Sequence, residues 1–196
     1  MKPLSIEGAW SYDARVFHDE RGSFHETFRS PQVRTVTGRD LPVEQVNCSV
    51  SRQGVIRGVH YADVPPGQGK YVMCLRGAVL DAVVDVRVGS PTFGAWETVE
   101  LSEVNRRAVF LSEGLGHAFQ ALTDEATVLY LCSASYDPER ERGIDPLDAD
   151  LGIGWRQGLA PVLSARDTLA VSLAQAEREG LLPSYAECAR ARPLVP

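Results

Sequence analysis

The sequence predicts an all-β fold, an antiparallel β-sandwich or barrel that ends in a short helical tail. Between about residues 45 and 136, apolar and polar residues alternate and turn residues interrupt them, which is typical of many short strands. No helical pattern separates these strands, and strands that follow one another directly form antiparallel sheets. After residue 164 the composition becomes helical. We therefore predict a β domain over residues 1–163, with N-terminal strands included, and a helical tail of the same domain over residues 164–196.

Alternation is clearest between residues 80 and 88, where Leu80 and the even-numbered positions share one face and Asp81 and the odd-numbered positions share the other. A turn follows at residues 89–92, and further strands are predicted at residues 96–101, 107–111 and 127–133. In the tail, residues 169–179 are predicted to be helical, with Gly180 as the C-terminal cap. The stretch 184–187 has the spacing of a capping box that opens a last short helix.

Composition and charge exclude several classes of function. The 196 residues suffice for one domain with a core, and the net charge of −6 argues against a nucleic-acid-binding protein. No apolar run approaches the roughly 20 residues of a membrane helix, and the first residues have no apolar signal core. The four cysteines form no C-x-x-C pair, so we expect free thiols and a cytoplasmic location.

His60 is the strongest candidate for chemistry. It lies in the strand-like run RGVHY (residues 57–61), and Lys70 follows nearby. A neutral imidazole beside fixed positive charge suits removal of a proton from carbon while an anionic substrate is held. A histidine that only packs in the core is the alternative. Strict alternation puts Arg57 and His60 on opposite faces, and Gly58 between them is a candidate β-bulge that turns one of them.

His117 and Tyr130 are further candidates from the same central block. Tyr130 shares a strand face with Val128 and Cys132, so a tyrosine that only fills the core is the alternative. Three polar residues between positions 45 and 49 also share one strand face, which suits either a wet cavity or solvent exposure.

No metal site is predicted. The sequence has no His-x-His pair around His60, because tyrosine and alanine follow it. His60 and His117 alone are too few ligands for a closed metal site.

Six segments together resemble the dTDP-4-dehydrorhamnose 3,5-epimerase family, and they follow the family's order across about residues 1–167. They are DERGSF (19–24), QVNCSVS (45–51), GVIRGVHY (54–61), PPGQGK (65–70), DVRVGSPTFG (85–94) and GLGHAF (114–119). The resemblance implies a cupin-type jelly roll without metal or cofactor. It also implies a homodimer that acts on a dTDP-linked 4-keto-6-deoxyhexose.

The same resemblance implies a role for each matching residue. His60 matches the family's general base, Asp167 the carboxylate that partners this base, Tyr130 the general acid and Lys70 the cation at the keto oxygen. The positions that match nucleotide, phosphate or sugar contacts are Arg21, Phe24, Glu26, Gln45, Ser49, Arg57, His117 and Tyr136.

The end of the chain leaves the reaction's outcome open. Arg166 stands where the family more often has lysine, and residues 174–185 resemble the subgroup that makes deoxysugars for antibiotics. An epimerase that inverts both C3 and C5 is therefore the first hypothesis, and an enzyme that inverts only C3 or only C5 is the second. A jelly roll that binds a nucleotide sugar without catalysis and a sugar 3,4-ketoisomerase are alternatives from other classes.

Overall fold

Two antiparallel sheets pack face to face in the computed structural model, which describes residues 1–38 and 40–190. The six-stranded sheet has the order β1 (Lys2–Pro3), β2 (Ala9–Asp13), β10 (Arg107–Leu111), β7 (Lys70–Arg76), β12 (Ala126–Cys132) and β5 (Gln45–Ser51). The five-stranded sheet has the order β13 (Glu141–Gly143), β6 (Ile56–Ala62), β11 (Gly116–Ala121), β8 (Ala78–Val84) and β9 (Trp96–Ser102). This jelly-roll arrangement confirms the predicted all-β sandwich.

Three apolar clusters hold the sheets in place. The first lies between the sheets, where Val72 and Val109 of one sheet meet Val83 and Phe119 of the other. The second covers the outer face of the five-stranded sheet with residues of the C-terminal segment, among them Trp155. The third covers the outer face of the six-stranded sheet, partly with α1 (Ser30–Thr37). Burial of apolar surface on both faces explains why the central strands are so rich in valine and leucine.

The predicted strand over residues 80–88 is shorter in the structure, because β8 ends at Val84. The carboxylate of Asp85 accepts hydrogen bonds from Arg87, Ser90 and Thr92, and these bonds close the turn that the sequence places slightly later. Burial raises the pKa of Asp85, but these bonds and the Arg87 charge outweigh it and hold the pKa below its ordinary value. The other three predicted strands agree with β9, β10 and β12 within one residue.

The tail contains three short helices: α2 (Ala165–Thr168), α3 (Leu173–Arg178) and α4 (Tyr185–Arg190). The predicted helix over residues 169–179 was too long, because Val171 forms a bridge with Ile144 and Ser172 then caps α3. The last helix begins where the capping box predicts. Residues 191–196 of the predicted tail lie outside the described part, and helix α1 near the N-terminus was not predicted.

A small hairpin of β3 (Val16–Asp19) and β4 (Gly22–His25) pairs with neither of the two large sheets. Within the described ranges, no helix has the length and apolar character that a membrane crossing requires.

Candidate active site

A cavity of about 510 Å³ opens between the two sheets. His60, Arg57 and His117 line it from the five-stranded sheet, while Lys70 and Tyr130 line it from the six-stranded sheet. Residues 162–167 of the chain close its side. The structure therefore brings the four predicted catalytic residues to one cavity: His60, Lys70, Tyr130 and Asp167.

A β-bulge places Arg57 and His60 on the same wall. His117 of β11 pairs with His60, and Phe119 pairs with Arg57, so three steps along β6 match two steps along β11. The extra residue falls at Gly58, whose φ is +114°. This confirms the bulge that the sequence suggests, and it cancels the strict alternation that would have separated the two side chains.

Gly58 is also a site where a side chain has no room. A Cβ atom there would lie 2.4 Å from the carbonyl oxygen of His117 and 2.7 Å from the Cα of Ala118. We therefore expect Gly58→Ala to lower the free energy of unfolding by about 3 kcal/mol or more, since backbone strain and a backbone clash add together. Gly89→Ala is the control, because Gly89 also has a positive φ but no atom of the described residues lies within 4 Å of the added Cβ. Urea unfolding compares the two, and equal losses would contradict the proposed clash.

His60 and Asp167 form a hydrogen-bonded pair with 2.7 Å between Nε2 and Oδ1. An ionised carboxylate only accepts hydrogen bonds, so Nε2 carries the proton and Nδ1 keeps its lone pair. Ser164 fixes the carboxylate from the other side, because its hydroxyl donates to Oδ2 at 2.9 Å and accepts from the Asp167 amide. Burial raises the pKa of Asp167, but the bonds from His60 and Ser164 and the nearby positive charges outweigh it and lower the pKa.

Tyr130 stands on the opposite sheet from His60. Its hydroxyl lies 3.3 Å from the hydroxyl of Ser49, and its ring meets His117 edge to face at 5.9 Å between centroids. Burial raises the pKa of Tyr130 well above its ordinary value, more than the Ser49 hydrogen bond lowers it. The phenol therefore keeps its proton at neutral pH, as a proton donor must.

Lys70 begins β7 and reaches the same cavity. Its side chain is 9% exposed, and no carboxylate of the described residues pairs with its ammonium group. It lies beside Cys132, its partner across β7 and β12. Burial raises the pKa of that thiol, and the Lys70 charge offsets only part of the increase. A buried cation without a protein counterion favours an anion or a polarised oxygen in the cavity.

The predicted binding residues differ in whether they line the cavity: Arg57 and Tyr136 line it, and Gln45 does not. Arg57 lines the wall and is anchored to the other sheet, because its Nε donates to the Ser51 hydroxyl at 3.1 Å. Tyr136 also lines the cavity, and its side chain is half exposed. Gln45 does not line it, but its side-chain oxygen accepts from the Tyr136 amide at 2.7 Å and so positions that segment.

Arg21, Phe24 and Glu26 do not line the cavity of their own chain. They belong to the β3–β4 hairpin and the residues after it, and Arg21 pairs there with Asp19. Phe24 is 66% exposed, and Glu26 lies 3.5 Å from Arg29. Their predicted role in substrate binding stays a prediction.

Several residues of the cavity were not among the predicted site residues: Asn47, Gln68, Cys132, Glu141, Ser164 and Arg166. Ser164 carried a signal that the sequence analysis missed, since Ser164 and Asp167 have the Ser-x-x-Asp spacing of a capped helix start. Among residues 1–38 and 40–190, no group of three or more His, Cys, Asp or Glu side chains is arranged to hold a metal ion.

Curated relatives match nearly the whole chain. The family model for dTDP-4-dehydrorhamnose 3,5-epimerase matches residues 3–175. A dTDP-4-dehydro-6-deoxyglucose 3-epimerase of Streptomyces bikiniensis is 56% identical over 185 residues, which cover 94% of each chain. A dTDP-4-dehydrorhamnose 3,5-epimerase of Streptomyces griseus is 54% identical over 188 residues, which cover 96% of this chain and 94% of the relative.

Solved structures give the same result at the level of the fold. The H60N/Y130F double mutant of ChmJ, a 3'-monoepimerase from Streptomyces bikiniensis in complex with dTDP, superposes with a TM-score of 0.95 at 53% identity. The match covers 97% of this chain and 96% of that one. ChmJ in complex with dTDP-quinovose matches equally well, with a TM-score of 0.95 at 54% identity. Together with the shared cupin-like jelly roll, these matches show that the chain belongs to the dTDP-4-dehydrorhamnose 3,5-epimerase family.

Proposed function

We propose that this chain epimerises a dTDP-linked 4-keto-6-deoxyhexose at C3, C5 or both through an enolate. The observation that carries the proposal is the placement of His60 and Tyr130, which line one cavity from opposite sheets. Inversion at carbon requires that a proton leaves one face of the sugar and another arrives at the opposite face. A base and an acid on facing walls can perform these two steps without moving the substrate.

In the first step the C–H bond next to the C4 ketone breaks and its proton passes to Nδ1 of His60. The electron pair of that bond becomes part of the enolate, whose negative charge lies on the former keto oxygen. Lys70 stabilises that oxygen, because its buried ammonium group has no carboxylate partner in the described chain. In the second step the Tyr130 hydroxyl gives its proton to the carbon from the other side, and the enolate returns to the ketone. His60 then releases its proton to solvent, and solvent reprotonates the tyrosinate.

Asp167 supports the first step through His60. A histidine that takes a proton becomes positively charged, and the carboxylate 2.7 Å away stabilises that charge. Ser164 keeps Asp167 in place, so the ring of His60 is oriented before the substrate binds. This is the arrangement that a general base needs at neutral pH.

The nucleotide part of the proposal is supported by a relative, ChmJ, which was solved with dTDP as a double mutant and with dTDP-quinovose. A diphosphate needs a positively charged partner, and Arg57 lines the cavity although the whole chain is acidic. Charge-assisted hydrogen bonds from arginine are strong and directional, so the diphosphate can position the sugar between His60 and Tyr130.

Solvent-deuterium exchange tests the proposed reaction. In deuterated water with dTDP-4-keto-6-deoxyglucose, we expect the protein to place deuterium on carbon next to the ketone, followed by proton NMR. Label at both C3 and C5 supports the double epimerase, and label at one of them supports the single-position enzyme. No label at either carbon contradicts an epimerase and leaves the nucleotide-sugar-binding protein as the explanation.

The single-position enzyme is kept as a second candidate for a specific reason. Relatives of nearly equal identity carry both names, 56% for a 3-epimerase and 54% for a 3,5-epimerase. The residues assigned above serve either outcome, because the same base and acid act at each carbon that reaches them.

Arg57 offers a test of the diphosphate site. We expect Arg57→Ala to weaken dTDP binding roughly 10- to 100-fold, because a charge-assisted contact to phosphate is lost. Arg190→Ala is the matched control, since Arg190 lies in the exposed end of α4 and, within residues 1–38 and 40–190, bonds only to the carbonyl oxygen of Ala186. Calorimetry at low salt measures both variants, and equal losses would remove Arg57 from the binding site.

A homodimer is also part of the proposal. The β3–β4 hairpin exposes Phe17 and Phe24, and the edge strand β5 exposes Val46 and Val50 on one face. Exposed apolar side chains of this kind mark interaction surfaces. If a second copy packs here, the hairpin of one copy, with Arg21, Phe24 and Glu26, would reach the nucleotide end of the other copy's cavity.

Light scattering should give twice the mass of one chain, and Phe24→Ala should weaken dTDP binding although Phe24 lies outside its own cavity. A monomer with full dTDP affinity would contradict the dimer.

A cytoplasmic location and activity without metal or cofactor stay predictions of the sequence.

A further inference from the structure

The hydroxyl of Tyr130 has one hydrogen-bond partner among the described residues, the hydroxyl of Ser49 at 3.3 Å. Aromatic rings pack against the rest of the side chain, since the rings of His117 and Phe119 lie 5.9 Å and 6.4 Å from it between centroids. After each inversion Tyr130 is left as a tyrosinate that must regain a proton. Within the described chain, Ser49 is the group in hydrogen-bond contact with the oxygen that needs this proton.

Ser49 lies on the outermost strand of the six-stranded sheet. Its strand, β5, pairs only with β12 in the described chain, and Ser49 is opposite Val128 there. The residue is half-buried and lines the cavity. Successive side chains of a strand alternate, so a second copy that covers Val46 and Val50 packs on the face away from Ser49. Ser49 therefore contacts the phenol and also keeps part of its surface in water.

The hydroxyl of a serine can accept one proton while it donates another. Burial raises the pKa of Tyr130 above its ordinary value, and the hydrogen bond from Ser49 and the charge of Arg57 offset only part of the increase. A hydrogen bond lowers the pKa of an acid when its donor points at the deprotonated oxygen. Ser49 therefore stabilises the tyrosinate through the same contact along which a proton can return.

The base and the acid differ in their access to water. The side chain of His60 is 30% exposed and can release its extra proton directly. In the proposed complex Tyr130 faces the sugar, which fills the space between the two walls of the cavity. An enzyme that inverts C3 and C5 in one binding event must reprotonate Tyr130 while the sugar is still in place. A route from the β5 side meets this requirement, whereas a route past the sugar does not.

We propose that Ser49 relays a proton from water to Tyr130 after each inversion. The Ser49 hydroxyl gives its proton to the tyrosinate oxygen, and in the same step the Ser49 oxygen takes a proton from a water molecule. The hydroxide that remains combines with the proton that His60 releases, so protons and charge balance over the cycle. This inference rests on the proposed function, because it requires Tyr130 to be the acid.

Ser49→Val and Ser49→Thr form a matched pair that tests the relay. Valine and threonine have nearly the same shape, but only threonine keeps the hydroxyl, and valine leaves no room for a water in its place. At saturating dTDP-4-keto-6-deoxyglucose, inversion should be about tenfold or more slower in the valine variant than in the threonine variant. Deuterium exchange should differ by less than about threefold between them, because His60 and Lys70 are unchanged. Proton NMR measures both rates.

A small acid in solution should replace the missing hydroxyl. Raising the concentration of imidazole buffer at constant pH and ionic strength should speed inversion in Ser49→Val and leave the wild type and Ser49→Thr unchanged. A serine that only holds the substrate or the fold gives no such response, since a buffer acid restores neither. If Ser49→Val does not fold, Ser49→Ala is compared with the wild type by the same response to buffer.

Equal rates of inversion in Ser49→Val and Ser49→Thr would overturn the relay. Slow inversion in Ser49→Val would overturn it as well if the rate ignores the buffer or if exchange falls in parallel. In either case a wild type that labels and inverts the sugar keeps the proposed function. A wild type that exchanges no deuterium into the keto sugar would reject the proposed function and the relay together.

Discussion

His60→Asn should abolish the incorporation of solvent deuterium into dTDP-4-keto-6-deoxyglucose. Asparagine has no lone pair of comparable basicity, so the C–H bond next to the ketone loses its base. A general base contributes roughly 10²–10⁴-fold to such a rate, and the loss should be at least this large. The affinity for dTDP should change little, because Arg57 and the rest of the cavity remain. Proton NMR of the substrate in deuterated water measures the exchange, and calorimetry measures the binding.

His18→Asn is the matched control, since His18 lies exposed on β3 and the proposed reaction gives it no role. It should exchange at the wild-type rate. If His60→Asn exchanges as fast as the wild type while it binds dTDP, the base is another residue, and the pair of His60 with Asp167 has a structural role only.

The sandwich was predictable because its signal is local. Alternation along the chain predicted β9, β10 and β12 almost to the residue, since period-2 patterns reflect the pleat of a strand. The order of strands in the sheets depends on contacts between distant segments, such as β2 with β10, and no local pattern encodes them. Helix α1 was missed because its sequence contains two β-branched valines and a threonine pair rather than an apolar stripe.

Asp81 shows where alternation misleads. The pattern puts Asp81 on the face opposite Leu80, and a polar residue at such a position normally faces solvent. In the structure both faces of β8 are covered. The six-stranded sheet packs against one face, and the C-terminal segment packs against the other. The sequence predicts the period correctly, but it does not say that a layer covers the second face.

The pairing of His60 with Asp167 came from the resemblance and not from spacing. His60 and Asp167 are 107 residues apart, and a gap of this length carries no information about contact. The bulge at Gly58 is the exception, since a glycine between two functional side chains on one strand was enough to predict it. The hairpin residues Arg21 and Phe24 remain predictions because their proposed partner is another copy of the chain.

Tyr130→Phe should separate the two halves of the reaction. Phenylalanine keeps the ring against His117 and loses only the hydroxyl near Ser49. His60 still removes the proton, and its side chain is 30% exposed, so the proton can exchange with solvent and return as deuterium to the same face. We expect exchange within about tenfold of the wild-type rate and inversion slowed roughly 10²–10³-fold, because the far face has lost its acid. Proton NMR gives both rates from one sample, since label and configuration are read at the same carbon.

Tyr61→Phe is the control that isolates position from chemistry. Tyr61 is also a buried tyrosine and follows His60 in β6, but it packs in the outer cluster and its hydroxyl donates to the carbonyl oxygen of Leu181 at 3.3 Å. Burial raises its pKa to about 12, so it has the same protonated phenol without access to the cavity. Tyr61→Phe should leave both rates unchanged. If Tyr130→Phe instead lowers the rates of exchange and inversion in parallel, the Tyr130 hydroxyl acts during formation of the enolate. The acid on the far face is then another of the residues with which the six-stranded sheet lines the cavity.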